Sequence, residues 1–404
     1  MIYDTVIVGG GIAGLYTAYT LLKQNPSLRL LIVEKNNELG GRASSTIFQG
    51  VSVVTGAGVG RFHKDHLLLE LMEELELPVK KFKASHYYAP STPRINAKRV
   101  FQILKEAYTQ KPVRATFKEF ALSVINTSTY NAFCTVAGYT DYENEDANDT
   151  LFHYGFEDNL DEWTGFYVPW KKIMTKLADY IGYDRILTST NVTQLRRTHR
   201  GGFRVSFGDG FHTFSKRVVL ATTIDAVRRL VPVQLKRYKQ IKGQPFLRLY
   251  AKCTPESARL LSQHVKGMTI VGGPLQKILP INPKEGIYMI SYSDNTNASN
   301  LSYFTTDTAN HRRMFSILIE HALHLPSRSI ELTHIMGIYW KIGTHYYTPN
   351  PVKETRLEFI HKVQRPLQNL FVVGEMVSLN QGWVEGALQS VQEVIGEMSE
   401  ISDN

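Results

Sequence analysis

The chain has 404 residues, 43% of them hydrophobic and 21% charged, with a formal net charge of +9. That composition excludes a disordered chain and leaves room for two domains, while the charge bears on solubility and steering rather than on fold. The basic residues are scattered and the densest run, 236–242, is short, so no nucleic-acid partner is expected.

Two cysteines, Cys134 and Cys253, argue against a disulfide framework and for an intracellular, cytoplasmic chain. The N-terminus enters a strand at once, without the basic and apolar segments of a secretory signal. No apolar run approaches the ~20 residues that a membrane span requires. The Asn-X-Ser/Thr triplets at Asn126, Asn148, Asn191, Asn297 and Asn300 are accordingly read as chance.

Residues 4–23, DTVIVGGGIAGLYTAYTLLK, predict strand, glycine turn and helix. Gly9, Gly11 and Gly14 follow G-x-G-x-x-G: the first for a tight turn, the second for backbone approach to a pyrophosphate, the third for helix–strand packing. The backbone of Ile12 and Ala13 then opens a helix whose free N–H groups suit phosphate. A second strand ends at Glu34, twenty residues beyond Gly14, placed to accept from the adenosine ribose hydroxyls, with Lys35 beside it.

Gly40-Gly41-Arg42 follows at once and separates FAD from NAD. This second dinucleotide motif resembles that of the flavin-containing amine oxidase superfamily, which includes monoamine, polyamine and L-amino-acid oxidases. The resemblance implies an α/β fold: a glutathione-reductase-type, Rossmann-like FAD-binding domain plus an α+β substrate domain. It covers nearly the whole chain and implies FAD-binding segments at 1–84, 184–246 and 346–404, with substrate-domain segments at 85–183 and 247–345. It also implies that Arg42 contacts the diphosphate region and that Val192 lies against adenine. Gly374-Glu375 matches a strand-end pair whose glutamate reaches the ribityl or phosphate region. The acidic stretch 141–149 reads as a solvated loop.

The same resemblance gathers four segments at the flavin. Residues 56–66 match the glycine-rich loop beneath the isoalloxazine, with Ala57 and Gly58 against the cofactor; the acid often found before it is missing. Arg61 resembles the guanidinium that grips the substrate carboxylate in L-amino-acid oxidases. Arg248 stands where the superfamily carries a lysine, water-bridged to flavin N5. A permanent cation there can hold a water but cannot serve as a tunable base. Tyr292 resembles a substrate-binding tyrosine, and Trp340 the tryptophan before the last FAD segment. Trp383 and Val384 open the closing helix, Trp383 as an active-site wall and the helix N-terminus toward the flavin's pyrimidine side. No cysteine lies near residues 343–349, so the FAD is expected to be non-covalent. His63 and His66 lack the further ligands of a metal set, and no metal is expected.

The expected activity is oxidation of a primary or secondary amine to an imine or aldehyde, with dioxygen as acceptor and hydrogen peroxide released. The alternatives are an L-amino-acid oxidase clamping its substrate with Arg61 and Tyr292, a desaturase-like enzyme on an apolar substrate, and a non-catalytic flavin-binding protein.

Overall fold

The computed structural model describes residues 2–199, 201–350 and 354–399; residues 1, 200, 351–353 and 400–404 of the expected segments lie outside the described part. Its first sheet is built on the strand Ile2–Val8, paired in parallel with Leu30–Val33 on one side and His212–Leu220 on the other. Strands Val192–Arg197, Phe203–Phe207, Ile186–Leu187 and Leu370–Val372 complete it. Residues 30–33 are buried throughout, as in a parallel strand covered on both faces. Helix Ile12–Gln24 lies on one face with the closing helix Val384–Ser399 and helix Trp170–Ile181. The other face is covered by helices Ile224–Leu230 and Arg356–Gln364. Trp170–Ile181 thus departs from the expected boundary at 183: its apolar face, Ile173, Met174 and Leu177, belongs to the nucleotide-side core.

The second sheet runs Leu332–Tyr347, Ile241–Cys253, Ile287–Asp294, Lys277–Asn282, Met268–Ile270 and His86–Tyr88. Residues on the long strand 241–253 alternate between its faces. Leu247, Leu249 and Ala251 pack with Leu261, Phe315 and Ile319 of the helices behind. Tyr250, from the opposite set, packs with Phe48, Val53 and Met289, and its hydroxyl donates to the Val54 carbonyl. Register places Arg248 opposite Tyr292 and Phe246 opposite Trp340, so three expected site residues share one neighbourhood because of strand pairing.

Helices Ala97–Gln110, Phe117–Val124, Thr127–Ala137 and Ala147–Phe152 form a lobe with its own aromatic core of Phe101, Phe117, Phe133, Tyr142 and Phe156. Within it the 141–149 stretch is not a solvated loop: Asp141, Glu145 and Asp149 are buried. They are held by Tyr154 Oη, Thr150 Oγ1 and Arg356 respectively. Among the described residues no helix is long and apolar enough to cross a membrane.

Candidate active site

The glycine fingerprint forms a cradle. Gly9 has φ +115°, and a Cβ there would lie 2.2 Å from the Ala221 carbonyl oxygen; on Gly14 it would lie 2.0 Å from the Gly9 oxygen. These two positions are closed by the protein's own packing. Gly11 and Gly41 instead pack against each other without crowding: a Cβ on Gly11 would meet nothing closer than the Gly40 carbonyl oxygen at 3.9 Å, and one on Gly41 nothing closer than Gly11 Cα at 3.9 Å. The helix behind starts at Ile12 with neither a side-chain cap nor an acidic residue in its first turn, so its N–H groups remain for an anion. The side chains of Ile12 and Ala13 are buried, leaving their backbone as the part that can face a ligand. The buried Glu34 carboxylate accepts from Gly10 N and Asn36 N, both at 2.8 Å. Thr190 N donates to the Glu34 carbonyl, bringing buried Val192 to the same end of the cradle, while the Lys35 side chain is exposed.

Arg42 and Glu375, 333 positions apart, meet at 2.7 Å. Arg42 Nη1 also donates to the Gly343 carbonyl, and among the described residues the N–H groups of Nε and Nη2 have no hydrogen-bond partner. Glu375 follows Gly374, whose φ of +121° suits glycine. Its carboxylate receives His345 Nδ1 at 2.5 Å and Gly382 N at 3.1 Å as well. Burial alone would push this carboxyl up, but His345 and Arg42 beside it reverse the effect and hold it at about 2.

The loop 55–58 lies between this cradle and the second sheet. Ala57 N donates to the Arg42 carbonyl, and the Gly58 carbonyl accepts from Trp170 Nε1. Trp340 Nε1 donates to the Thr55 carbonyl at 2.7 Å. Arg248, 7% exposed, donates from Nε to the Gly56 carbonyl at 2.8 Å. Its Nη2 is aimed at Gly58, whose added Cβ would stand 3.4 Å away. The guanidinium lies 4.2 Å from the Tyr292 ring centroid, and the Phe246 and Tyr139 ring centroids lie 5.8 and 5.7 Å from that of Tyr292.

Arg61 requires a correction. It is not free to grip a substrate carboxylate, because Nε and Nη2 fork onto Asp65 at 3.1 and 2.7 Å and Nη1 reaches Asp158 at 3.2 Å. Its guanidinium also stacks 3.6 Å from the Trp383 ring centroid. Arg61 therefore supports the tryptophan wall instead of standing opposite it. Val384, the first residue of the closing helix, packs against the nucleotide-side core, and Glu385 caps the helix His66–Glu74 through Leu67 N and Leu68 N. His63 faces Asp158 at 3.5 Å, and among the described residues no group of His, Cys, Asp and Glu is arranged to hold a metal.

Sequence reasoning passed over Lys277, Tyr139 and His345. Lys277 is fully buried, donates to the Gly138 carbonyl at the end of helix Thr127–Ala137, and lies 3.3 and 4.6 Å from the Tyr139 and Tyr292 ring centroids. Burial pushes its ammonium down, against the pull of Asp294 and Asp141. The available signal was a lysine heading the apolar run KILPI.

Residues 114–394 match the family model described as flavin containing amine oxidoreductase, and residues 7–75 that of an NAD(P)-binding Rossmann-like domain. The chain belongs to the flavin containing amine oxidoreductases. An uncharacterised protein of Acanthamoeba polyphaga mimivirus is 19% identical over 477 residues, 97% of this chain and 93% of that one. The mitochondrial L-2-hydroxyglutarate dehydrogenase of Dictyostelium discoideum is 57% identical over 44 residues only, 11% of this chain and 10% of that one. A putrescine oxidase double mutant superposes with a TM-score of 0.78 at 14% identity, covering 98% of this chain and 99% of that one. Cyclohexylamine oxidase from Brevibacterium oxydans gives 0.74 at 16%, covering 100% of both chains. At such identities the superpositions establish the fold.

The cofactor of a flavin containing amine oxidoreductase is FAD, and the residues present fit it. The uncrowded backbone at Gly11 and Gly41 suits a pyrophosphate lying close along it, and a Cβ on Gly374 would meet nothing within 4 Å. Thr55 Oγ1, Gln244 Oε1 and Gln381 Oε1 are buried without protein partners around the same loops. Both cysteines sit elsewhere, Cys134 in the helical lobe core and Cys253 behind the second sheet, so neither thiol is at the cradle.

Proposed function

We propose that this flavin containing amine oxidoreductase oxidises a primary or secondary amine to an imine, which water hydrolyses to a carbonyl compound, with dioxygen reduced to hydrogen peroxide. The observation that carries this reading is the convergence of Arg248, Tyr292, Phe246 and Trp340 on the loop 55–58. Bound FAD supplies the two-electron acceptor for the C–H bond beside nitrogen.

The chain's own residues bind, orient and exclude water. Glu34 takes the ribose hydroxyls at one end of the cradle, with Val192 against adenine. Gly9, Gly11, Gly14, Gly40 and Gly41 let the backbone follow the pyrophosphate, and Arg42 neutralises it with its free N–H groups. Ala57 and Gly58 underlie the ring system. Tyr292, Phe246, Trp340 and Trp383 form an apolar box that favours the neutral amine over the ammonium. Arg248 holds a water or polar substrate atom through Nη2 and contributes a fixed positive charge where electrons arrive. The segments 85–183, apart from helix Trp170–Ile181, and 247–345 serve as the covering substrate domain.

The test is an anaerobic screen of monoamines, polyamines and amino acids against the purified flavoprotein, reading bleaching of the flavin band. Bleaching by amines and peroxide formation on admitting air support the proposal. A flavin that dithionite reduces and air reoxidises, yet no amine or amino acid bleaches, refutes it.

A further inference from the structure

We propose that His345 is a positioning residue for the cofactor: a neutral histidine, protonated on Nδ1, that fixes Glu375 as the acceptor for the ribityl hydroxyls. The inference rests on the FAD site alone and stands apart from the identity of the substrate.

The ring of His345 is buried on the strand Leu332–Tyr347 and held from both sides. Ile224 N points at Nε2 at 3.3 Å. A backbone N–H can only donate, so Nε2 is the acceptor and carries no proton. The ring proton is then on Nδ1, which faces Glu375 Oε1 at 2.5 Å. Ile224 opens the helix Ile224–Leu230, whose flanking Thr223 makes no side-chain cap, so the imidazole does the capping.

The consequence falls on Glu375. With Arg42 and His345 on Oε1 and Gly382 N on Oε2, the carboxylate is ionised, immobile and able only to accept. Such a group repels phosphate oxygens and binds hydroxyls. Within one dinucleotide the roles divide: Arg42 takes the diphosphate with its unused N–H groups, and Glu375 takes the ribityl chain. Gly382, one residue before Trp383, hangs on the same carboxylate, so a loosened Glu375 would release the aromatic wall too.

The test compares His345→Gln with His345→Phe. Glutamine can accept from Ile224 N through Oε1 and donate to Glu375 through Nε2; phenylalanine fills the space and does neither. Flavin-free proteins are titrated with FAD by fluorescence quenching, and their thermal midpoints are recorded without FAD. The phenylalanine variant should bind FAD about tenfold or more weakly, and the glutamine variant within about threefold of the native protein. If the phenylalanine protein does not fold, His345→Asn, too short to span both partners, replaces it with the same expected loss. Native-like FAD affinity in His345→Phe or His345→Asn overturns the proposal. So does an equal loss in His345→Gln whose flavin-free midpoint is unchanged.

Discussion

Replacing Glu375 with glutamine removes the charge on which Arg42, His345 and Gly382 converge. In the folded protein this carboxyl is held at about 2, against 4.5 for the free group. The full difference, roughly 3 kcal/mol at about 1.4 kcal/mol per pH unit, requires an imidazolium at His345; with the neutral ring inferred above, Arg42 and the hydrogen bonds leave on the order of 1–3 kcal/mol of stability at neutral pH. The sign follows from the direction. The folded group lies below its unfolded value, so its contribution is complete above the unfolded value and is lost as pH falls toward 2. At pH 3 less than half of it should remain. Glutamine also sets an amide N–H₂ against groups that are all donors, so the neutral-pH loss should be no smaller than this. Urea unfolding of flavin-free native and Glu375→Gln proteins, followed by tryptophan fluorescence at pH 7, 5 and 3, measures both the gap and its pH dependence. Equal stabilities at pH 7, or a gap that stays constant down to pH 3, would refute the reasoning.

Arg61→Met should destabilise the flavin-free protein by roughly 3–5 kcal/mol, since it strands buried Asp65 and leaves Trp383 unstacked; a thermal melt needs no substrate to show this. Arg248→Met should keep FAD bound yet slow anaerobic flavin reduction by an amine about tenfold or more in stopped flow, as the fixed charge beside Gly58 disappears. Gly11→Ala and Gly14→Ala should part company. The first has room within the protein and should melt near the native temperature while losing FAD, whereas the second drives its Cβ into the Gly9 carbonyl and should lower the melt itself. Precipitating the holoprotein with acid should leave the yellow colour in the supernatant, because neither Cys134 nor Cys253 reaches the cradle.

The nucleotide end was legible because its signals are local. Gly9 through Glu34 is one turn, one helix and one strand, and each glycine's reason is a contact within that unit or with the next strand. The far end was legible as separate pieces. Gly374-Glu375 and Arg42 each carried a motif, but that they bind one another depends on closure of the whole sheet. Arg61 was misjudged because Asp158, 97 positions away, is invisible to spacing. Asp65, four residues on, was the local hint that this arginine already had a partner. The acidic stretch 141–149 looked solvated because charge density was the only cue. Its burial comes from Tyr154, Thr150 and Arg356, of which Arg356 arrives from far along the chain. Lys277 showed only as a lysine heading an apolar run, since its neighbours Tyr139 and Tyr292 come from a helix end and another strand.

The strand Ile2–Val8 takes one of its neighbours from residues 212–220, and that neighbour in turn pairs with 370–372. Glu375 and the Gly382–Trp383 loop come later still. Half of the cradle therefore waits for segments more than 360 positions along the chain, and a chain stopped before residue 370 holds an unfinished sheet edge and an Arg42 without its carboxylate. Cofactor uptake then reports on closure: a polypeptide that turns yellow extends past Trp383 and has closed its sheet, and the flavin's colour serves as a count of closed molecules in any preparation.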